Sequence, residues 1–426
     1  MIFHCIEVQV EQMNVISWLI LSVFVFPVLS AGQCLLDNED VPFTVQRFIT
    51  YGRDTTYDGR VVDLYLHLYR PQLDSPARKP FILWVHGGGF FGGNPEDMDA
   101  LCRGYAAKGF VTASASYRLG FFSPPGFEPP AAYDEAEIIR AGYRAVQDIR
   151  SALRYCMAHA DEWQIDTNKI IIGGGSAGGI TVLAAATMRQ SWLRPIKTHA
   201  IDPVIIRGDT FPRPDLGPIE GKFHRNYRDT VHAVINIFGA LPDTAFLHVA
   251  PPLHYFLYHQ TLDPVVPCDK NKAYWPLPYI RDNYPSLAGS CAIAEFFNRH
   301  PERCLSSTPF IYPGTQHGVH DTRAFVDSLN AFLRNIVCDK VTNTNDRATT
   351  KATVVQFYTP KHPFVVKVPV AFRPQYWALY DLQGYCHGRG VLHDAKALLP
   401  STHRPGLYLL VLYNDRGQTH AHKVWL

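Results

Sequence analysis

The run Gly173-Gly174-Gly175-Ser176-Ala177-Gly178-Gly179 constrains this chain more than any other stretch. Lys169-Ile170-Ile171-Ile172 before it predicts a short buried strand, and Ile180-Thr181-Val182-Leu183-Ala184-Ala185-Ala186 after it predicts a helix. Gly174-x-Ser176-x-Gly178 between strand and helix is the pattern of a sharp turn that projects a serine. Such a serine has strained backbone angles. The residues two before and two after it must be nearly free of side chain, because the turn brings their backbones together. The helix that starts there aims free N–H groups at negative charge forming beside the serine. Taken alone, the pattern is equally that of a tight turn whose serine only caps the helix.

A second feature breaks that tie. Pro80-Phe81-Ile82-Leu83-Trp84-Val85 is nearly continuously apolar, as a strand buried on both faces is. It ends in His86-Gly87-Gly88-Gly89-Phe90. Consecutive glycines at the end of a central strand leave backbone N–H groups free, and acyl transfer needs preset donors where its oxyanion develops. The expected donors are the N–H groups of Gly88, Gly89 and Ala177, with His86 bracing the loop.

The serine then needs a base, and the base an orienting acid. Thr308-Pro309-Phe310-Ile311-Tyr312 reads as a strand that runs into Pro313-Gly314-Thr315-Gln316-His317-Gly318, and residues Thr322–Val337 read as an amphipathic helix. His317 therefore sits in a loop between rigid elements, where a general base belongs; His320 is its local competitor. For the acid, Leu253-His254-Tyr255-Phe256-Leu257-Tyr258-His259 reads as a strand, and Asp263 lies in the loop that leaves it. Asp263 also suits a simple turn before Pro264, and Asp269 and Asp282 are the alternatives. The order Ser176, Asp263, His317 is nucleophile, acid, histidine.

These residues carry a resemblance. Residues 62–337 resemble the α/β-hydrolase superfamily, in particular carboxylesterases of the hormone-sensitive-lipase and feruloyl-esterase-like kind. The carrying strings are His86-Gly87-Gly88-Gly89-Phe90, Tyr143-Arg144-Ala145-Val146-Gln147-Asp148-Ile149-Arg150 and the glycine run around Ser176; Thr261-Leu262-Asp263-Pro264 and Gly314-Thr315-Gln316-His317-Gly318 look like the acid and histidine loops. The resemblance implies a mostly parallel sheet with helices on both faces, and a serine esterase without metal or cofactor. Its implied substrate is a small-molecule or polysaccharide-linked ester. A prolyl-oligopeptidase-like peptidase shares the serine turn, but Gly89 stands where such enzymes usually carry proline. A non-catalytic binding protein of the same fold is the other alternative. One segment departs from the pattern. Residues 190–230 are long and rich in Pro, Arg, Asp and His; in this fold such inserts often roof the active site, with a surface loop as the alternative.

The two ends bear on location. Residues 15–31 are uncharged and apolar and close on small residues, which predicts a signal peptide over residues 1–31, with Met13 an alternative start. A membrane anchor is the competing reading, although Pro27 interrupts the run. The catalytic domain is expected over residues 32–341 and a linker over 342–351, where a Thr-Asn-Thr-Asn-Asp run occurs. From there to residue 426 the pattern changes to short strands bounded by turn residues, which predicts a small β-sandwich. The strings Ala378-Leu379-Tyr380-Asp381-Leu382-Gln383-Gly384, Pro405-Gly406-Leu407-Tyr408-Leu409-Leu410 and His422-Lys423-Val424-Trp425-Leu426 resemble the C-terminal sorting domain of the type IX secretion system of Bacteroidetes. That resemblance implies the secretion machinery as a partner, and export through the periplasm. Tyr358-Thr359-Pro360 departs from the domain's usual start, and a carbohydrate-binding sandwich is the alternative.

A net charge of +2 gives no indication of a nucleic-acid partner. Of 9 cysteines, Cys5 precedes the expected cleavage, and the rest are compatible with disulfides in an oxidising compartment. Cys268, Cys291 and Cys304 are the first candidates for a bridge.

Overall fold

The computed structural model describes residues 34–37, 39–73 and 75–338, together with short strands between residues 355 and 425. The expected signal peptide and linker lie outside the described residues.

An eight-stranded sheet organises the chain. Its strands are β1 (Phe43–Thr55), β2 (Val61–Pro71), β3 (Lys79–Val85), β4 (Val111–Ala115), β5 (Ile165–Gly175), β6 (Ala233–Ile237), β7 (His254–Gln260) and β8 (Ser306–Tyr312). They lie in the order β1-β2-β4-β3-β5-β6-β7-β8, and only β2 runs against the rest. Every residue of β3 is buried. Its alternation divides the core: Phe81, Leu83 and Val85 join one apolar cluster, and Ile82 and Trp84 join the other.

Helices cover both faces. On the first lie α2 (Glu135–Ala158), α3 (Ala177–Thr187) and α4 (Ser290–Arg299); on the second lie α1 (Asp99–Ala107) and α5 (Thr322–Val337). Helix α5 buries Phe325, Leu329, Phe332, Leu333 and Val337, a stripe at helical spacing, and starts where the Asp321 side chain accepts from Ala324 N. Asp134 caps α2 in the same way through Glu137 N.

The serine turn is tighter than the sequence pattern suggests. Helix α3 starts at Ala177, directly after Ser176, and not at Ile180, so Gly178 and Gly179 form its first turn. They are glycines because of close approach. A Cβ on Gly178 would lie 2.1 Å from Val85 O, and one on Gly179 would lie 2.6 Å from Asn236 Oδ1.

Among the described residues, two disulfides tie the fold: Cys34–Cys338 and Cys268–Cys291. Of the three cysteines expected to supply a bridge, Cys304 is buried and belongs to neither. The Cys34–Cys338 bridge holds the chain before β1 against the end of α5, and Asp37 and Arg334 pair beside it through two hydrogen bonds of 2.6 and 2.7 Å.

Residues 190–230 hold a hairpin, Ile201–Ile206 with Asp209–Arg213. Side chains of α2 bind the segment through its carbonyls. Arg140 donates to Lys197 O and His199 O, Tyr143 to Gly217 O, and Gln147 to Leu216 O and Pro218 O. Only Leu193 and Pro195 of this segment line the cavity beside Ser176. The expectation of a roof is corrected to that extent: the hairpin wall faces a second cavity on the far side of α2.

In the tail, an antiparallel sheet runs Cys386–Val391, Tyr376–Asp381, Leu407–Tyr413, Thr419–Trp425 in that order. Trp377 pairs with Leu412 and Leu379 with Leu410, and all four are buried. A second antiparallel sheet is formed by Val355–Gln356, Phe364–Val366 and Lys396–Ala397.

Candidate active site

Ser176 stands between β5 and α3 with φ 54° and ψ −123°, a conformation that L residues rarely adopt. Its N–H donates to Ile237 O at 2.9 Å, which holds the turn against β6. Gly174 and Gly178 meet behind it: a Cβ on Gly174 would lie 2.5 Å from Gly178 C.

Three side chains from three loops converge. His317 Nε2 lies 2.8 Å from Ser176 Oγ, and His317 Nδ1 lies 2.7 Å from Asp263 Oδ2. A carboxylate only accepts, so Nδ1–H donates to Asp263 and Nε2 accepts from the serine hydroxyl. The His317 side chain is 20% exposed and that of Asp263 fully buried. The alternatives are elsewhere. Asp269 and Asp282 are exposed, and Asp282 bonds to Arg281. His320 stacks on Tyr312 and meets Tyr258 Oη at 2.8 Å through Nδ1.

Asp263 is held rigidly. Its Oδ1 accepts from Val265 N at 2.8 Å and from Val266 N at 3.0 Å, and its carbonyl accepts from Trp275 Nε1 at 2.7 Å. Oδ2 is therefore the oxygen turned to His317.

The N–H groups of Gly88, Gly89 and Ala177 have no acceptor among the described residues. Gly88 and Gly89 have φ of 102° and 61°, and a Cβ on Gly88 would lie 2.1 Å from Gly92 O. His86 braces this loop from below. It is buried, stacks on Tyr117 at 4.3 Å, and places Nδ1 2.8 Å from Gly87 O. Burial lowers its pKa and keeps the ring neutral.

Two supporting residues escaped the sequence reading. Gln260, buried at the end of β7, clamps the histidine loop from both sides: its Nε2 donates to Gly318 O at 2.9 Å and its Oε1 accepts from Gln316 N at 3.0 Å. His259 lies behind the acid, with Nε2 2.9 Å from Val266 O and 3.6 Å from Asp263 Oδ2, and Nδ1 3.0 Å from Ser290 Oγ. Burial lowers the His259 pKa, so it sits there as a neutral ring. Neither belongs to a short motif; both mark only a strand end.

Ser176 opens on a cavity of about 390 Å³, within the ~300–1,000 Å³ of small-molecule sites. Its walls are apolar, among them Phe90, Ile138, Ile180, Met188, Phe246 and Leu287, and among the described residues Glu135 is its only charged lining residue. Much of the wall comes from the segment after Asp263, pinned to α4 by the Cys268–Cys291 bridge and by pairing of Lys270–Lys272 with Ser286–Gly289.

Residues 62–194 match the carboxylesterase family and residues 139–275 the family described as BD-FAE. Among characterised relatives, fumonisin B1 esterase of Sphingopyxis macrogoltabida is 28% identical over 156 residues, which cover 35% of this chain and 26% of that protein. The acetyl esterase of Salmonella schwarzengrund is 30% identical over 158 residues, covering 37% of this chain and 40% of that one. The chain thus spans a quarter to two fifths of the length of these relatives. Among solved structures, a thermophilic esterase of Thermogutta terrifontis is 22% identical with a TM-score of 0.40, covering 69% of this chain and 92% of that one. A truncated carbohydrate esterase from gut microbiota is 18% identical with a TM-score of 0.44, covering 72% and 99%.

The strand order, the serine turn and the two family matches define an α/β-hydrolase fold, and the side chains at its centre form the constellation of a serine hydrolase.

Proposed function

We propose that this chain is a serine carboxylesterase acting on esters with an apolar acyl group. The observation that carries this reading is the continuous chain Asp263 Oδ2–His317–Ser176 Oγ, at 2.7 and 2.8 Å, ending at an apolar cavity beside three unoccupied N–H donors.

On this reading the steps are those of acyl transfer through Ser176. His317 Nε2 takes the hydroxyl proton as Ser176 Oγ attacks the ester carbonyl. The N–H groups of Gly88, Gly89 and Ala177 receive the oxyanion; one such donor is commonly worth roughly 3–4 kcal/mol. His317 returns the proton to the departing alcohol, and the acyl group stays on Ser176. Water attacks that acyl-enzyme, giving its proton to the same nitrogen, and the carboxylic acid leaves. Asp263 holds the tautomer and stabilises the imidazolium.

Acetyl esterase and fumonisin esterase among the relatives support ester cleavage as the reaction. Small-molecule and polysaccharide-linked esters are both open to a cavity of this kind. We further place the protein outside the cytoplasm, exported through the periplasm and passed on by type IX machinery that reads residues 352–426. Two disulfides support the oxidising compartment, and the tail strings quoted above support the route.

Ser176→Ala tests the reaction. The variant should keep the wild-type melting temperature and lose hydrolysis of p-nitrophenyl butyrate and labelling by a fluorophosphonate; full activity in it would overturn the proposal.

A further inference from the structure

Helix α2 separates two cavities. Ile138, Gly142, Tyr143 and Val146 line the one beside Ser176. Glu137, Arg140 and Arg144, on the opposite face at helical spacing, line another of about 400 Å³. The far wall of this second cavity includes Tyr57, Phe122 and Phe211, whose rings run in series with centroids 4.9 and 4.8 Å apart.

Arg144 is the anomaly in this cavity. It is 3% exposed, yet among the described residues its guanidinium makes a single hydrogen bond, from Nη2 to Gly120 O at 2.8 Å. A guanidinium carries five N–H donors, and Nε is buried without a partner. Among the described residues it forms no ion pair with a carboxylate. Four carboxylates line the cavity and each is engaged: Asp54 with Arg118 and Lys222, Asp58 with Arg60, Asp215 with Arg194, and Glu137 with Phe122 N and Arg213; Asp148 nearby pairs with Arg118. Arg140 is spent on carbonyls of residues 197, 199 and 214.

Two other arginines of the same helix meet a buried carboxylate, as buried charges usually do. Arg150 and Arg154 both meet Asp229, at 2.7 and 2.9 Å. Burial, and then the nearby Arg118, push the Arg144 pKa down to about 10, so the group remains charged at neutral pH and lacks a counter-anion.

We propose that this second cavity binds a small aromatic carboxylate, whose carboxylate accepts N–H bonds from Arg144 and whose ring seats against Tyr57, Phe122 and Phe211. The planar fork suits a carboxylate, and the three-ring wall selects a ligand with an aromatic body over a bare anion. This assignment is independent of the esterase reading.

Isothermal titration of the full chain with benzoate, benzamide and inorganic phosphate tests it. Benzoate should bind at one site, with benzamide and phosphate each at least tenfold weaker. Arg144→Lys keeps the charge and removes the fork; Tyr57→Ala removes part of the wall at a half-buried position. Each should weaken benzoate at least tenfold, and either one suffices if the other does not fold. Gly142→Leu, which fills the first cavity, should leave benzoate binding unchanged. Three results would overturn the proposal: no benzoate binding, phosphate binding as tightly as benzoate, or benzoate binding that Gly142→Leu abolishes and Arg144→Lys does not.

Discussion

Replacing Asp263 with Asn separates the acid's two tasks. Oδ1 of the native carboxylate accepts from Val265 N and Val266 N at 2.8 and 3.0 Å, and Oδ2 accepts from His317 Nδ1 at 2.7 Å. An amide has one oxygen, and the two backbone N–H groups require it at the Oδ1 position. The NH₂ is then forced to face His317 Nδ1. That nitrogen must give up its hydrogen and accept, so the hydrogen moves to Nε2, where it points at Ser176 Oγ. A ring in that tautomer cannot take the serine proton. The corresponding loss in serine proteases is about 10⁴-fold in kcat, or roughly 5.4 kcal/mol of transition-state stabilisation. The fold should hardly respond, because the loop keeps both amide bonds. Asp263→Ala makes the contrast: it orphans the buried Val266 N–H at about 1–3 kcal/mol and the half-buried Val265 N–H beside it, and should lower both turnover and melting temperature. The assay is steady-state hydrolysis of p-nitrophenyl butyrate beside a thermal melt for both variants. If Asp263→Asn keeps a tenth or more of wild-type kcat with an unchanged melt, the tautomer argument fails.

Three further outcomes follow from other parts of the molecule. Gly142 sits on α2 facing the first cavity, where an added Cβ meets Phe90 Cζ at an ordinary 3.5 Å; Gly142→Leu should cut activity on p-nitrophenyl octanoate at least tenfold relative to the acetate, and an unchanged ratio would put the acyl chain elsewhere. Asp229 is held below its usual pKa, since Arg150 and Arg189 outweigh the upward push of burial. Its stabilisation is full above the unfolded value near ~3.9 and is lost as pH falls through the lower folded value. Asp229→Asn should cost about 3–5 kcal/mol at pH 7 by urea titration, and that difference should shrink on acidification below about pH 4. Cys338→Ser opens a bridge between residues 304 apart and should lower stability by about 2–5 kcal/mol, read as a melting shift that dithiothreitol, which also reduces Cys268–Cys291, matches or exceeds in the wild type.

The elements around the serine were legible because they answer to local rules. An all-apolar run made β3 recognisable, the 3.6-residue stripe beyond His317 gave α5 its span, and glycine spacing marked the turn at Ser176. The start of α3 was misread for a physical reason. Gly178 and Gly179 look like loop residues, but they are helical residues from which the backbone of β3 and the side chain of Asn236 exclude a Cβ. Only the packing reveals that. Gln260 and His259 were missed on the same grounds: each acts on a loop that reaches it through the sheet order, and neither has a neighbour in sequence that marks its part.

The segment 190–230 shows where sequence reading reaches its limit. Its length and polarity suggested a roof over Ser176, yet its carbonyls are taken by Arg140, Tyr143 and Gln147 across 57–74 residues of chain. Those contacts turn the hairpin toward the opposite face of α2 and leave only Leu193 and Pro195 at the first cavity. The wall that chooses a substrate therefore falls largely to the segment between Asp263 and α4, which the Cys268–Cys291 bridge pins in place. One stretch of about twenty-five residues thus fixes the acid through Val265 N and Val266 N and shapes the cavity through Tyr274 and Leu287. Substitutions made there to alter substrate choice will act on turnover as well, whereas changes to the hairpin will reach the chemistry only through α2.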